Sequence, residues 1–383
     1  MTLTRQSISR YPIAALCLLT LALGLVACGS TPVPPTLPPP PPTVAPSPTA
    51  AVEEPTATVA AAEAPTEVAT TAATPTAEAA ATLQAQTLEP TQDWFVRNLM
   101  VGPGRTYVFL EALREQEQGP YQLLYSDDDG QTWTPFPGGL PPEDCLNNVN
   151  IDYAATDSLY VGACEGGLYH WTGSRWERIS DQRVGTLEVV YQDPQIMWSA
   201  DPAAGPGEPM ISRSEDGGRT WVAADTGIDR SSGITHLGID PRDSNTLYAL
   251  SQTVLYRGTP DGQWQVVPTP EFPSSFTGMA IEGGTGALYL SLGVPSNQIW
   301  RSENPSIADI ASVRWGLLHE FGEGQTVALM ATGPSPSGLA LYANLAETHK
   351  SEDGVILIGD ALPYRSPDGG ITWKRIVIPG WIE

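Results

Sequence analysis

The sequence predicts an all-β fold assembled from repeated four-stranded antiparallel units, and three observations predict it. One eight-residue signature, S-x-D-x-G-x-T-W, occurs three times: Ser126, Asp128, Gly130, Thr132 and Trp133; Ser214, Asp216, Gly218, Thr220 and Trp221; Ser366, Asp368, Gly370, Thr372 and Trp373. Weaker copies fill the gaps, so that Trp133, Trp176, Trp221, Trp264, Trp315 and Trp373 form one series. Ahead of each tryptophan lies an apolar stretch with a central aromatic: Tyr107, Tyr160, Trp198, Tyr248, Tyr289 and Tyr342. The signature suits a tight hairpin. Ser and Asp side chains bond backbone N–H groups across the turn, and Gly supplies the positive φ. Thr then re-enters a strand and Trp brings a large apolar ring to a core. Four strands in roughly 45 residues fit a propeller blade better than a solenoid coil. Six tryptophans predict six blades, with a cryptic seventh left open.

In chain order, Arg5 and Arg10 precede an uncharged apolar run from Tyr11 to Ala27 and then Cys28. The run is short for a spanning helix, which needs about 20 residues. Leu25-Val26-Ala27-Cys28-Gly29 resembles a bacterial lipobox, which implies cleavage before Cys28, lipidation of its thiol and a membrane-anchored protein facing the extracytoplasmic side. An ordinary secretory signal or an uncleaved anchor is the alternative. Residues 30–93 contain no Gly, aromatic, Lys or Arg and are rich in Thr, Pro and Ala. Such a segment cannot bury enough apolar surface to offset its ordering entropy, which predicts a disordered tether over 28–93.

From residue 94 each unit reads strand, turn, strand, loop, strand, hairpin, Trp strand. In the fourth unit Ile234 to Asp240 is the first strand, Pro241 to Asn245 the turn, and Leu247-Tyr248 opens the second. In the second unit the turn near Thr156-Asp157 sets Ile151 against Tyr160, which brings Cys145 and Cys164 nearly opposite one another. A disulfide is expected there, in a compartment that permits oxidation; two reduced, buried thiols are the alternative.

Here the chain resembles the BNR or Asp-box repeat β-propellers, a group that includes sialidases, sortilin-type receptor ectodomains, some xyloglucan hydrolases and a photosystem II assembly factor. The likeness covers about residues 94–383. It implies a propeller in which the boxes are turn structures remote from any active site, so Asp128, Asp216 and Asp368 are expected to cap turns. Fold does not fix function.

The net charge is −24. Only seven of the acids precede residue 94, and −19 remains beyond it, with Lys350 and Lys374 the only lysines. A phosphate backbone is repelled by such a field, so nucleic acid is not an expected partner. The resemblance to sialidases would require three channel arginines; Arg97, Arg105 and Arg114 stand outside the family's Arg-Ile-Pro context. Tyr342 or Tyr364 with Glu347 are the only candidates for a Tyr/Glu pair. A hydrolase of neutral glycans needs two carboxylates about 5–10 Å apart.

His170, His236, His319 and His349 have no zinc-ligand spacing, and His236 is expected as a satisfied core histidine. Asp127-Asp128-Asp129-Gly130 lacks the closing Glu of a calcium loop. No metal and no cofactor are expected. Inter-blade and second-to-third-strand loops share the face opposite the boxes, where function usually resides. The candidate ligand-face residues are Glu143, Asp144, Asp229, Arg230, His319 and Glu320. A long insertion from Asn344 to Leu362 joins this face and holds a box-like Ser351-Glu352-Asp353-Gly354. The favoured function is a non-catalytic, monomeric binding or assembly module for an envelope protein or a glycan, the alternative a glycoside hydrolase.

Overall fold

The computed structural model describes residues 94–383, apart from 103, 113–119, 144, 153–154, 156, 232, 295, 304–309, 336–337, 352–355, 360, 381 and 383. Cys28, the tether, Arg114, Asp144 and most of the Ser351–Gly354 motif lie outside these residues. Six antiparallel sheets follow one another, each from one contiguous stretch of chain. Blade 1 comprises Trp94–Gly102, Arg105–Ala112, Tyr121–Ser126 and Thr134–Pro135. Blade 2 comprises Leu146–Ile151, Leu159–Ala163, Leu168–Trp171 and Trp176–Ser180. Blade 3 comprises Thr186–Val189, Met197–Ala200, Ile211–Ser214 and Val222–Ala223. Blade 4 comprises Ile234–Asp240, Asp243–Ser251, Leu255–Gly258 and Trp264–Val266. Blade 5 comprises Phe276–Ile281, Leu288–Leu292, Gln298–Ser302 and Trp315–Glu320. Blade 6 comprises Gln325–Ser335, Gly338–Lys350, Leu362–Ser366 and Lys374–Arg375, and Ile356–Ile358 pairs with the far end of its second strand. The only helical turn among the described residues is Ile310–Ser312.

The apolar core is divided among the seams. Each of six buried clusters draws on two neighbouring blades, including one that joins blade 6 to blade 1. All six second-strand aromatics are at most 5% exposed, so that sequence marker is the centre of the seams. Rings of this size bury about 150–250 Å² each. Arg213, Arg301 and Arg365 on third strands lie 5.6, 5.7 and 5.8 Å from the ring centres of Trp198, Tyr289 and Tyr342. His170 stacks on Tyr160 at 4.5 Å. This aromatic-cation pairing, visible in sequence as Arg-Ser closing three of the third strands, escaped the sequence reading.

The ring closes by packing. Ile376, Ile378 and Ile382 join Trp94, Val96 and Tyr342 in the last seam, and Asn344 Nδ2 donates to Val96 O at 3.1 Å. Bulged residues on first strands add rungs elsewhere: Asn147 Nδ2 donates to Val184 O at 3.1 Å and Thr277 Oγ1 to Val327 O at 2.6 Å. A bulge leaves one residue unpaired and re-aims its side chain, here into the next blade. Close approach is part of this: a Cβ on Gly278 would meet Leu329 O at 2.2 Å.

One expectation needs correction. Ile151 pairs with Leu159 rather than Tyr160, and the Asn147 bulge then shifts Leu146 onto Ala163. That shift sets Cys145 beside Cys164, and the two are joined, with Cα atoms 5.4 Å apart. The six tryptophans are not equally buried. Trp264 is 4% exposed, whereas the other five are half-buried, because their rings cover the rims of the seams.

Candidate functional site

Two faces follow from strand direction. First-to-second and third-to-fourth turns, including the boxes, share one, the turn face; the long loops share the other, the loop face. On the turn face the three boxes are superimposable in their bonding. Thr132 amide and hydroxyl donate to Asp128 at 2.8 and 2.6 Å, Thr220 to Asp216 at 2.8 and 2.7 Å, and Thr372 to Asp368 at 2.8 and 2.6 Å. Ser126, Ser214 and Ser366 accept from the N–H of Gly130, Gly218 and Gly370. The bonds from Thr132, Thr220 and Thr372 hold each carboxylate at about 2. Both carboxylate oxygens of Asp128, Asp216 and Asp368 serve their own turns, which assigns these residues to structure.

A cavity of about 690 Å³ occupies the propeller axis and is lined by the six first strands. It reaches the turn face at Gly102, Tyr191, Pro241, Glu282 and Gly333, and extends inward to Asn98, Asn148, Thr186 and His236. Asn98 Nδ2 donates to Asn148 Oδ1 at 2.6 Å and to Val149 O at 3.0 Å, across the seam of blades 1 and 2. Glu188 lies in the third blade's first strand, and burial alone pushes it up to about 8. Burial also lowers His236 to about 4; its Nδ1 meets Thr235 Oγ1 at 3.0 Å. Both side chains keep partial access to the channel. His236 therefore lines the axis rather than an apolar core. Glu282 accepts from Tyr289 OH at 3.0 Å and pairs with Arg301 at 3.3 Å.

The expected ligand-face residues do not converge. Glu143 accepts from Tyr169 OH on blade 2, and Asp229 Oδ1 accepts from Ser231 N at 2.9 Å. Arg230 pairs with Asp225 at 2.7 Å, and Glu320 accepts from Gln298 at 3.2 Å. His319 packs against Phe321 and Trp373, with ring centres 4.6 and 6.0 Å away. None of these lines the axial cavity. Arg97 and Arg105 are spent on Glu111, and on Asp127 and Asp157. Tyr342 is buried beneath Arg365, which removes it as a nucleophile candidate. Sequence reasoning missed Asn98, Asn148, Asn150 and Glu188; the available signal was an acid or amide inside an otherwise apolar first strand.

The BNR/Asp-box repeat family matches residues 124–135. A curated relative, the probable oligoxyloglucan-reducing end-specific xyloglucanase of Neosartorya fischeri, is 24% identical over 271 residues, covering 67% of this chain and 27% of that protein. The chain thus spans little more than a quarter of that relative's length. Among solved structures, the GH74 xyloglucanase of Xanthomonas campestris is 19% identical with a TM-score of 0.48, covering 75% of this chain and 47% of that one. YCF48 of Cyanidioschyzon merolae is 13% identical with a TM-score of 0.48, covering 76% and 87%. With its three boxes and six blades, this chain is a six-bladed β-propeller carrying the BNR/Asp-box repeat.

Proposed function

We propose that residues 94–383 are a non-catalytic binding or assembly module, held outside the cytoplasmic membrane as a monomer by lipidated Cys28 and a tether, and recognising a protein partner or a glycan. The use of the carboxylates carries this reading. Glycoside hydrolysis asks for two acids free to face one bond. Glu143, Asp229 and Glu320 are spread over three blades and engaged locally, and Glu282 is committed to Arg301 and Tyr289. The anchoring part is tested by Cys28→Ser, which releases the chain from membranes or leaves a precursor; unchanged fractionation and mass contradict it.

One observation favours hydrolysis as a second reading. Glu188 and Glu282 line the same cavity, one carrying its proton at neutral pH and the other paired with a cation. Groups whose environments differ in this way serve as acid and base in glycosidases. The xyloglucanase named above gives that reading a substrate to try. Incubation with xyloglucan and its oligosaccharides, scored for retention and product release, separates the two. Retention without products supports the binding module; products that disappear in Glu188→Gln overturn it.

A further inference from the structure

The axial cavity is two-sided. Its wall from blades 1 to 4 carries Asn98, Asn148, Asn150, Thr186, Glu188 and His236. From blades 5 and 6 the wall is mainly apolar, with Met279, Ala280, Ile281, Ala331 and Leu339; Glu282 stands at its turn-face rim, paired with Arg301, and the Thr332 hydroxyl is turned to Ile281 O at 2.6 Å. Asn150 and Glu188 occupy equivalent places: each pairs with its blade's buried second-strand aromatic, Tyr160 and Trp198. The neighbouring blades therefore set an amide beside a carboxyl at one level of the axis.

These polar groups are unspent. Asn150 Nδ2 is buried with no hydrogen-bond partner, and Glu188 has neither a hydrogen bond nor an ion pair. A buried donor left without a partner costs about 1–3 kcal/mol, so such groups mark a place where something else supplies the bond. The charge pattern narrows what that is. Among the described residues no Lys or Arg lines the cavity, so an anion meets no counter-charge there. Burial keeps the proton on Glu188, and Glu282 is already paired, so a cation gains little. What remains are amides, a carboxylic acid, a neutral imidazole and a hydroxyl, each both donor and acceptor. Hydroxyl groups have the same double capacity, and a sugar ring adds an apolar C–H face for the opposite wall.

We propose that the axial cavity binds a neutral polyhydroxylated ligand, a free sugar or the end of a glycan chain, entering from the turn face. Asn148, Asn150 and Glu188 hold its hydroxyls, and Ala280, Ile281 and Ala331 receive its apolar face. The site rests on the glycan arm of the binding reading but lies at the opposite end of the propeller from the long loops. Its volume is within the range of about 300–1,000 Å³ usual for small-ligand sites.

The test is titration calorimetry on the whole chain. The probes are neutral mono-, di- and tetrasaccharides of gluco, galacto, manno and xylo configuration, with glucuronic acid and glucosamine as charged controls. At least one neutral series binds, and the charged controls bind about tenfold more weakly or not at all. Equal affinity for mono- and tetrasaccharide assigns a free sugar; a gain with length assigns a chain end. Asn150→Leu and Glu188→Leu each lose about tenfold or more, while Glu188→Gln, which keeps a donor and an acceptor, retains binding. No binding by any neutral sugar to the folded protein overturns the site. Binding unchanged in both leucine variants, each checked for folding by its near-ultraviolet spectrum, also overturns it while leaving a loop-face module standing. Product release abolished in a Glu188→Gln protein that still binds overturns the non-catalytic reading and leaves the site intact.

Discussion

Blades 1, 3 and 6 carry a complete box, and blades 2, 4 and 5 do not, yet both kinds place a tryptophan at the same point of the unit. The bonds of the indole differ. In boxed blades 3 and 6 it turns back on its own turn, Trp221 Nε1 to Gly218 O at 2.9 Å and Trp373 Nε1 to Gly370 O at 3.2 Å. In boxless blades it crosses the seam to the preceding blade. Trp176 Nε1 donates to Gly138 O at 3.2 Å, Trp264 Nε1 to Ala224 O at 2.7 Å, and Trp315 Nε1 to Pro268 O at 3.0 Å. Pairing explains the difference. Trp176, Trp264 and Trp315 are ladder residues opposite Trp171, Gly258 and Ser302, whereas the boxed tryptophans stand one residue before their fourth strands. A box closes its hairpin through Asp and Thr. Without one, the seam itself holds the tryptophan.

The largest expected effect contrasts Trp264 with Trp221. Trp264→Ala costs about 3–5 kcal/mol of unfolding free energy, as a fully buried ring does, and half-buried Trp221 costs clearly less. Equal losses in urea titration would break the comparison. Opening the disulfide tests a link inside a boxless blade, between the first and second strands of blade 2: Cys164→Ser costs about 3 kcal/mol by loop entropy. Stability equal to that of the oxidised parent would show that the bridge adds nothing to the pairing of these two strands. Trp264→Phe sharpens the contrast by keeping the ring and orphaning Ala224 O, at about 1–3 kcal/mol. At Trp221 the same change costs less, because its bond to Gly218 O is only part-buried whereas that of Trp264 is fully buried.

Acid separates the boxes from the channel. The box aspartates drop from 3.8 to about 2 on folding, so their contribution is complete above 3.8 and disappears as the pH falls to about 2. His236 drops from 6.5 to about 4, so its share goes earlier, between those values. Asp216→Asn should reduce only the lower step of a stability–pH curve, and His236→Gln only the upper. Glu188 runs the other way. Raised from 4.5 to about 8, it leaves the fold most stable below 4.5 and progressively less stable up to about 8. Glu188→Gln should therefore raise the melting temperature at pH 8 and leave it nearly unchanged at pH 4; an equal shift at both would show that the proton is not the cause.

Architecture was largely legible in the sequence, since the boxes and the buried aromatics repeat with fixed local meaning. The first strand from Ile234 to Asp240 fell where expected for the same reason. The channel was not legible. Its lining depends on register, and a single bulge at Asn147 or Thr235 decides which residue faces the axis. Glu188 in Thr-Leu-Glu-Val-Val appears to a local reading as one acid among many. Only the ring of six strands reveals that it lines the axis at the level of Asn150, with no Lys or Arg among the described lining residues. The loop-face residues were chosen by exposure and charge, and such choices do not predict convergence.

Hydrogen exchange of the tryptophan indole protons, resolved by nuclear magnetic resonance, tests the central contrast most directly. Trp176, Trp264 and Trp315 should exchange slowly, Trp264 slowest, because their protons are released only when two blades part. Trp221 and Trp373 should exchange faster, through opening of their own turns, and faster still when Asp216 or Asp368 is replaced by Asn. Equal protection across both sets, or seam indoles that respond to the box substitutions, would contradict the division of labour between box and seam.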